Sequence, residues 1–366
     1  MTGAGEEESS FSIQRSLPDG RIECEVCPRC CKLREAQEGY CRSRGRRGDR
    51  IVTLAAGRTS GLAVDPIEKK PLFHFLPGTS VLSFGTVGCN LGCRFCQNEG
   101  ITRSRIRPER LREAPPERIA RAASVLGCRS VAFTYNDPVV FFDYAIDVAV
   151  ACHARGVQTV AVTAGYVSAG ARAALFRHID AANVDLKGFT EEFYRRMAGG
   201  HLQPVLDTLL YLRQETRVWL EITNLLIPGV NDSAVEIDAM TRWIGEHLGP
   251  DTPIHFSAFH PAGQMRSHPS TPLAVLVRAA EIAIESGLTH VYIGNARSEW
   301  ESTWCSSCGE LLVGRDGYRL AGWNLKDAGR CSACGTRCAG RFEAQPGTWG
   351  ARSLPVDLDD VLARRA

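Results

Sequence analysis

Three cysteines stand close together in the stretch GTVGCNLGCRFCQN: Cys89, Cys93 and Cys96, with the spacing C-x3-C-x2-C. Thiolates at such spacing bind soft metals, zinc or iron–sulfur clusters. Three thiols cannot complete a four-coordinate zinc site or a four-cysteine cluster. A [4Fe–4S] cube held by three cysteines keeps one iron free of protein ligands, and that iron can accept a small molecule. A zinc site that borrows its fourth ligand from elsewhere is the alternative.

The chain has fifteen cysteines, and most of the others form two further groups. Near the C-terminus, CSSCGE and RCSACGTRC supply two C-x2-C-G knuckles, Cys305/Cys308 and Cys331/Cys334. Four thiolates would close this site, which reads as a structural zinc ribbon, with an auxiliary iron–sulfur cluster as the alternative. Cys338 is a fifth ligand or a spare thiol. Near the N-terminus, Cys24, Cys27, Cys31 and Cys41 form a group for zinc or a second cluster, with Cys30 an extra neighbour. Either metal would fix a segment too small to bury its own core. Cys128 and Cys152 sit in core-like surroundings and read as buried small hydrophobes.

Something must position these thiols. From about residue 80 to 295, short β-rich runs alternate with helical patterns. The runs are 81–84, 131–134, 159–163, 182–186, 218–223, 254–257 and 291–293; the helices are expected over 116–126, 138–155, 168–177, 202–214, 232–248 and 272–286. Asp137 can cap the second helix, with Pro138 in its first turn and Gly156 at its stop. Asn231, Asp232 and Ser233 offer caps for the fifth. Nearly all-apolar strands alternating with helices imply a parallel sheet covered by helices. Six or seven such units suit a complete or partial (β/α) barrel. An open doubly wound sheet is the runner-up, weakened because no G-x-G-x-x-G follows the first strand.

Polar residues gather where the strands end. Thr134, Asn136 and Asp137 follow strand two, Thr163 ends strand three, and Asp185 and Lys187 end strand four. Glu221, Thr223 and Asn224 end strand five; His255 and Ser257 lie on strand six, with His260 beyond it, and Asn295 follows strand seven. In a β/α barrel these ends converge on the active-site face. Asp185 and Lys187 alternate with Leu186, so both point to one side, as do Glu221 and Thr223. An internal ion pair and a helix cap are the structural alternatives for Asp185–Lys187 and Asn136–Asp137. A buried Glu221 requires polar partners nearby.

C-x3-C-x2-C after the first barrel strand resembles the radical S-adenosylmethionine (radical SAM) superfamily. DPIEKKPLFHFLPG, TYNDP, VDLKGF, EITNLLIPGVNDS, HFSAFHP and VYIGN further resemble the radical SAM enzyme of the AmmeMemoRadiSam system, a group related to pyruvate formate-lyase activating enzymes. The similarity runs from about Cys24 to Cys334. It implies that Cys89, Cys93 and Cys96 ligate a [4Fe–4S] cluster whose open iron binds the methionyl amine and carboxylate of SAM. Reductive cleavage would then give methionine and a 5′-deoxyadenosyl radical that abstracts hydrogen from a substrate. It assigns the SAM pocket to Thr134, Asn136, Asp137, Thr163, Asp185 and Lys187, with Lys187 pairing the SAM carboxylate; by their strand-end positions Glu221, His255 and Asn295 are added to that pocket, and His255, His260 and Asn295 are equally candidates for a substrate site. Asp137 stands where near relatives usually carry Glu, and Ala164 where they carry Asn. An electron donor of flavodoxin or ferredoxin type is implied, as are Memo-like partner proteins of the same system.

The resulting plan is an α/β chain. Residues 1–20 form a disordered tail, 21–77 a Cys-rich metal-binding segment, and 78–300 a partial (β/α) barrel radical SAM core. Residues 301–345 form a zinc-ribbon-like module and 346–366 a C-terminal tail. The segment DPIEKKPLFHFLPG is expected to lie extended against the core. The chain has 366 residues and a net charge of +2, so no general attraction to nucleic acid or anionic membrane is expected. The arginine run Arg42, Arg44, Arg46, Arg47 and Arg50 reads as a solvated mobile loop. No apolar run reaches about 18 residues, and the acidic N-terminus lacks a secretory pattern, so a cytoplasmic protein is expected. Two other functions compete: a glycyl-radical activating enzyme of the pyruvate formate-lyase type, and a non-catalytic metal protein that binds nucleic acid through the ribbon and Arg42–Arg50.

Overall fold

The computed structural model describes residues 13–103 and 111–363. Its centre is a nine-stranded sheet. In chain order the strands are β1 (Gly61–Pro66), β2 (Ser80–Gly85), β3 (Ser130–Phe133), β4 (Gln158–Thr163), β5 (Ala181–Asp185), β6 (Trp219–Leu226), β7 (Ile254–Ala258), β8 (Val291–Gly294) and β9 (Leu354–Val356). Strands β2 to β8 pair in strict sequence order, all parallel. A doubly wound sheet reverses its order at a switch point; this one does not, and it is a partial barrel. Strand β1 lies antiparallel on β2, and β9 antiparallel on β1.

Helices α1 (Pro116–Val125), α2 (Phe142–His153), α3 (Ala169–Phe176), α4 (Gln203–Glu215), α5 (Ala234–Leu248) and α6 (Leu273–Glu285) connect the parallel strands. Each was legible as a helix from periodicity, and the caps explain the boundaries. Ser233 accepts from the Glu236 amide and starts α5, and Gly249, at φ +94°, ends it. Asp137 accepts from the Val139 amide as expected, but the helix it opens begins as a 3-10 turn, Pro138–Phe141, before α2. Ala120, Ala123, Phe133, Ala145, Val148 and Ala149 are among the fully buried residues between sheet and helices.

Four expectations are corrected. Residues 14–16, assigned to a disordered tail, form a strand paired with Ile22–Cys24; residues 1–12 lie outside the described residues. The arginine run is a β-hairpin, Arg44–Arg47 against Arg50–Thr53. Arg44 is 2% exposed and bonds Asp143 at 2.8 Å and Thr53 at 3.0 Å, because Asp143 on α2 supplies a carboxylate for a guanidinium that enters the protein. DPIEKKPLFHFLPG is not simply extended. Asp65 and Pro66 close β1, Ile67–Lys69 form a 3-10 turn, and buried Asp65 pairs with Lys70 at 2.8 Å and Lys69 at 3.0 Å. The C-terminal stretch contributes β9 and a helix, Leu358–Ala363, with Leu358 and Leu362 buried; residues 364–366 lie outside the described residues.

Candidate functional site

The three-cysteine loop leaves the top of β2 and is held by side chains of the neighbouring strand-end loop. Asn136 accepts from the Thr86 amide at 2.8 Å and donates to Thr86 Oγ1 at 3.1 Å and the Gly88 carbonyl at 3.0 Å. A side chain at Gly85 would lie 2.3 Å from the Thr134 carbonyl, so glycine permits this close approach. Further along, Asn90 donates to the Tyr166 carbonyl at 2.7 Å, and the Gly92 and Arg94 amides donate to the Ala198 and Met197 carbonyls. Asn98 donates to the Tyr135 carbonyl at 2.7 Å. Burial pushes the Cys93 thiol up to about 11, against the field of Lys187, and pushes Cys89 up further. Thiols that burial holds neutral become thiolates when a metal ligates them.

Cys89, Cys93 and Cys96 form one wall of a cavity of about 590 Å³ at the strand ends. Of the nine proposed pocket residues, Thr134, Asn136, Asp137, Thr163, Asp185, Lys187, His255 and Asn295 line it; Glu221 does not. Several are already committed within the protein. Asp137, buried, accepts from the Val139 amide, from Thr163 Oγ1 at 3.0 Å and from the Ala164 amide at 2.8 Å. Burial raises its pKa, and those donors oppose the rise. Ala164, which has no side-chain amide to offer, thus contributes through its backbone. Asn295, at φ +50°, continues the sheet by bonding both the Ala258 amide and carbonyl.

Other groups retain free capacity. Lys187 Nζ lies 2.8 Å from Asp185; burial works against its charge, but Asp185 and then Cys93 more than compensate and raise its pKa. Thr223 Oγ1 and His255 Nδ1 are buried with no protein partner, and both residues line the cavity. Ser257 also lines it, while Asn224, buried, donates to the Leu186 carbonyl; His260 is exposed and absent from the lining.

Glu221 does different work. Its carboxylate accepts from the Phe73 and His74 amides at 3.0 and 2.8 Å, from Trp219 Nε1 at 2.9 Å and pairs with His255 Nε2 at 2.7 Å. Burial alone would raise its carboxyl; the His255 bond, the fields of His255 and His74 and the Phe73 amide bring it down to about 2. Glu221 therefore fastens the PLFHF segment inside the barrel, where Pro71 and Phe73 line the cavity. Asn183 adds a bond to the Pro71 carbonyl at 2.8 Å. Glu68 was not foreseen. It lines the cavity, its Oε2 has no partner, and burial, opposed by Arg315, pushes its carboxyl up to about 7. In the sequence it stands in a run of ordinary surface charges, with no local signal of burial.

A sequence profile described as Radical SAM superfamily matches residues 84–240, which contain all three loop cysteines. An uncharacterized protein of Methanocaldococcus jannaschii is 37% identical over 325 residues, covering 88% of this chain and 96% of that protein. The chain belongs to the radical SAM superfamily. The benzylsuccinate synthase activating enzyme of Thauera aromatica is 29% identical over 138 residues, 37% of this chain and 40% of that enzyme. Among solved structures, a radical SAM methyltransferase from Sphaerobacter thermophilus has 15% identity and a TM-score of 0.47, covering 82% of this chain and 80% of its own. A domain of pyruvate-formate lyase-activating enzyme from Bacteroides vulgatus has 18% identity and a TM-score of 0.40, covering 45% of this chain and 99% of its own.

Radical SAM proteins are enzymes that cleave SAM, and membership implies a [4Fe–4S] cluster and SAM. The residues present fit both: three half-buried thiols on a cavity wall, a paired lysine, and three orphaned polar atoms, Glu68 Oε2, Thr223 Oγ1 and His255 Nδ1. The other cysteines separate by geometry. Sγ–Sγ distances are 3.6 Å for Cys305–Cys334 and 3.7 Å for Cys308–Cys331, and all four sulfurs lie within 4.8 Å of one another. A tetrahedral ion with metal–sulfur bonds of about 2.3 Å requires edges of about 3.8 Å. Gly309 and Gly335, both at positive φ, turn the two knuckles. This radical SAM chain keeps Cys338 apart, buried beside His74. Cys24, Cys27, Cys31 and Cys41 line a second, smaller void, which Cys30, exposed, does not join. Cys128 and Cys152 are buried in the core.

Proposed function

We propose that this chain cleaves SAM reductively and directs the 5′-deoxyadenosyl radical at a substrate held in the 590 Å³ cavity. The observation that carries this reading is the convergence of Cys89, Cys93 and Cys96 with Lys187 and the orphaned Thr223 and His255 atoms on one cavity. A [4Fe–4S] cluster on the three thiolates supplies an electron and an iron open to the methionyl group. Lys187, held charged by Asp185, meets the SAM carboxylate. Thr134, Thr223 and His255 Nδ1 offer the remaining polar contacts. Asn136, Asp137, Thr163 and Asn295 position the loops, since their own bonds are internal. Phe73, anchored by Glu221, and Pro71, anchored by Asn183, close the floor and exclude water.

We place the chain in the AmmeMemoRadiSam system, on the motifs quoted above, with a flavodoxin or ferredoxin as electron donor and Memo-like proteins as partners. The four C-terminal cysteines take structural zinc, a reading supported by their sulfur spacing. Anaerobic reconstitution followed by dithionite and SAM is expected to yield 5′-deoxyadenosine, and Cys93→Ala to abolish it. Unchanged product in the variant would remove the cluster assignment. The similarity to an activating enzyme favours a second reading, hydrogen abstraction from a glycine of a partner. A glycyl EPR signal on an added partner separates the two readings.

A further inference from the structure

The N-terminal void lies behind the catalytic loop. Its lining combines Cys24, Cys27, Cys31 and Cys41 with apolar Val26, Leu33, Val139 and Val140. The four thiols share one void, with Cys24 and Cys41 buried and Cys27 and Cys31 half-buried. Backbone amides serve their sulfurs. Tyr40 donates to Cys31 Sγ at 3.4 Å, and amides of Val26, Arg29 and Ser43 act on Cys24, Cys27 and Cys41. Amide donors of this kind stabilise metal-bound thiolates and have little use beside neutral thiols.

A buried cation faces the same space. Arg44 is 2% exposed; its Nη1 bonds Thr53 and Asp143, but Nε and Nη2 are buried without an oxygen partner. Arg44 lines the void, and its guanidinium acts on the Cys24 and Cys41 sulfurs. Leaving two guanidinium nitrogens unpaired in an apolar wall is costly unless negative charge fills the space.

Which metal centre fits is a question of spacing. The C-terminal four sulfurs close to within 4.8 Å of one another, as one ion demands. Among the described residues the N-terminal four form no such close-set group, and in this they resemble the catalytic triplet Cys89, Cys93 and Cys96. Thiolates on a multi-iron cluster each meet a different metal atom, so they stand further apart than ligands of a single ion.

We propose that Cys24, Cys27, Cys31 and Cys41 bind a second, fully cysteine-ligated [4Fe–4S] cluster, with Arg44 donating to its sulfur. This cluster braces the catalytic loop from behind. Asn90, next to Cys89, lines the void. Arg29 donates to the Asn90 and Gly199 carbonyls. At Gly88, φ +87°, a side chain would lie 2.1 Å from the Cys41 carbonyl, so the two metal loops touch through their backbones.

The test uses the full chain with the catalytic site removed. Cys89→Ala/Cys93→Ala/Cys96→Ala, reconstituted anaerobically with iron, sulfide and zinc available, is expected to keep about four iron and four sulfide per chain. Dithionite should give it a cluster EPR signal, and Arg44→Met should shift that signal. A triple variant that binds zinc at this site and no iron would overturn the inference. So would a residual cluster that survives Cys24→Ala/Cys27→Ala in the triple background. In either of those cases SAM cleavage by the wild-type chain could stand unaffected, so the two readings fail separately.

Discussion

Glu221 separates what a residue is from what it does. Its position on β6, facing the interior two residues before Thr223, made it a pocket candidate. Four donors instead consume its carboxylate and tie down residues 73 and 74. Its pKa falls from 4.5 to about 2, a contribution on the order of 3 kcal/mol. Because the folded pKa is depressed, this stability is fully present above about pH 4.5 and fades as pH falls toward about 2. Glu221→Gln is therefore expected to be less stable than wild type in urea at pH 7, with the gap narrowing at pH 3. A gap that stays constant with pH would contradict the assigned carboxylate role. Asn136, Asp137 and Asn295 teach the same lesson. Their polar character at strand ends was legible, as was the local cap Asp137 makes to Val139, but their other partners lie on neighbouring strands and loops, which no local pattern encodes.

Elements were read with more success. All seven parallel strands and all six barrel helices fall within a few residues of their sequence-based ranges, because apolar runs, caps and stop glycines are local signals. The elements missed depend on distant pairing. Strand β9 joins β1 across almost 300 residues, with Ser353 bonding Asp65 at 2.7 Å, and Pro355 fits there because the strand is at an edge. The arginine hairpin was hidden because Asp143, the partner of its buried Arg44, lies about 100 residues away. The knuckle element makes its own prediction. The wild-type chain should carry about one zinc on Cys305, Cys308, Cys331 and Cys334. Cys331→Ser should lose it and lower the thermal midpoint, since Cys305 and Cys331 belong to a small buried cluster with Leu312, Val313 and Phe342. Full metal retention with an unchanged midpoint would contradict a ligand role for Cys331.

For the whole molecule, cysteine groups from three parts of the sequence end up around one barrel. The triplet Cys89, Cys93 and Cys96 faces the cavity, and the N-terminal four stand behind its loop. The C-terminal module reaches the same cavity, where Glu301, Gly317 and Tyr318 line it. No helix among the described residues is long and apolar enough to cross a membrane. The sequence pointed to an open metal position; the structure adds a space beside it and the groups that bound that space. The most direct measurement of that arrangement is EPR of the reduced, reconstituted chain with and without SAM. The account predicts that the signal lost in Cys93→Ala changes when SAM is added, while the remaining signal does not. A reduced protein in which no signal responds to SAM would contradict it.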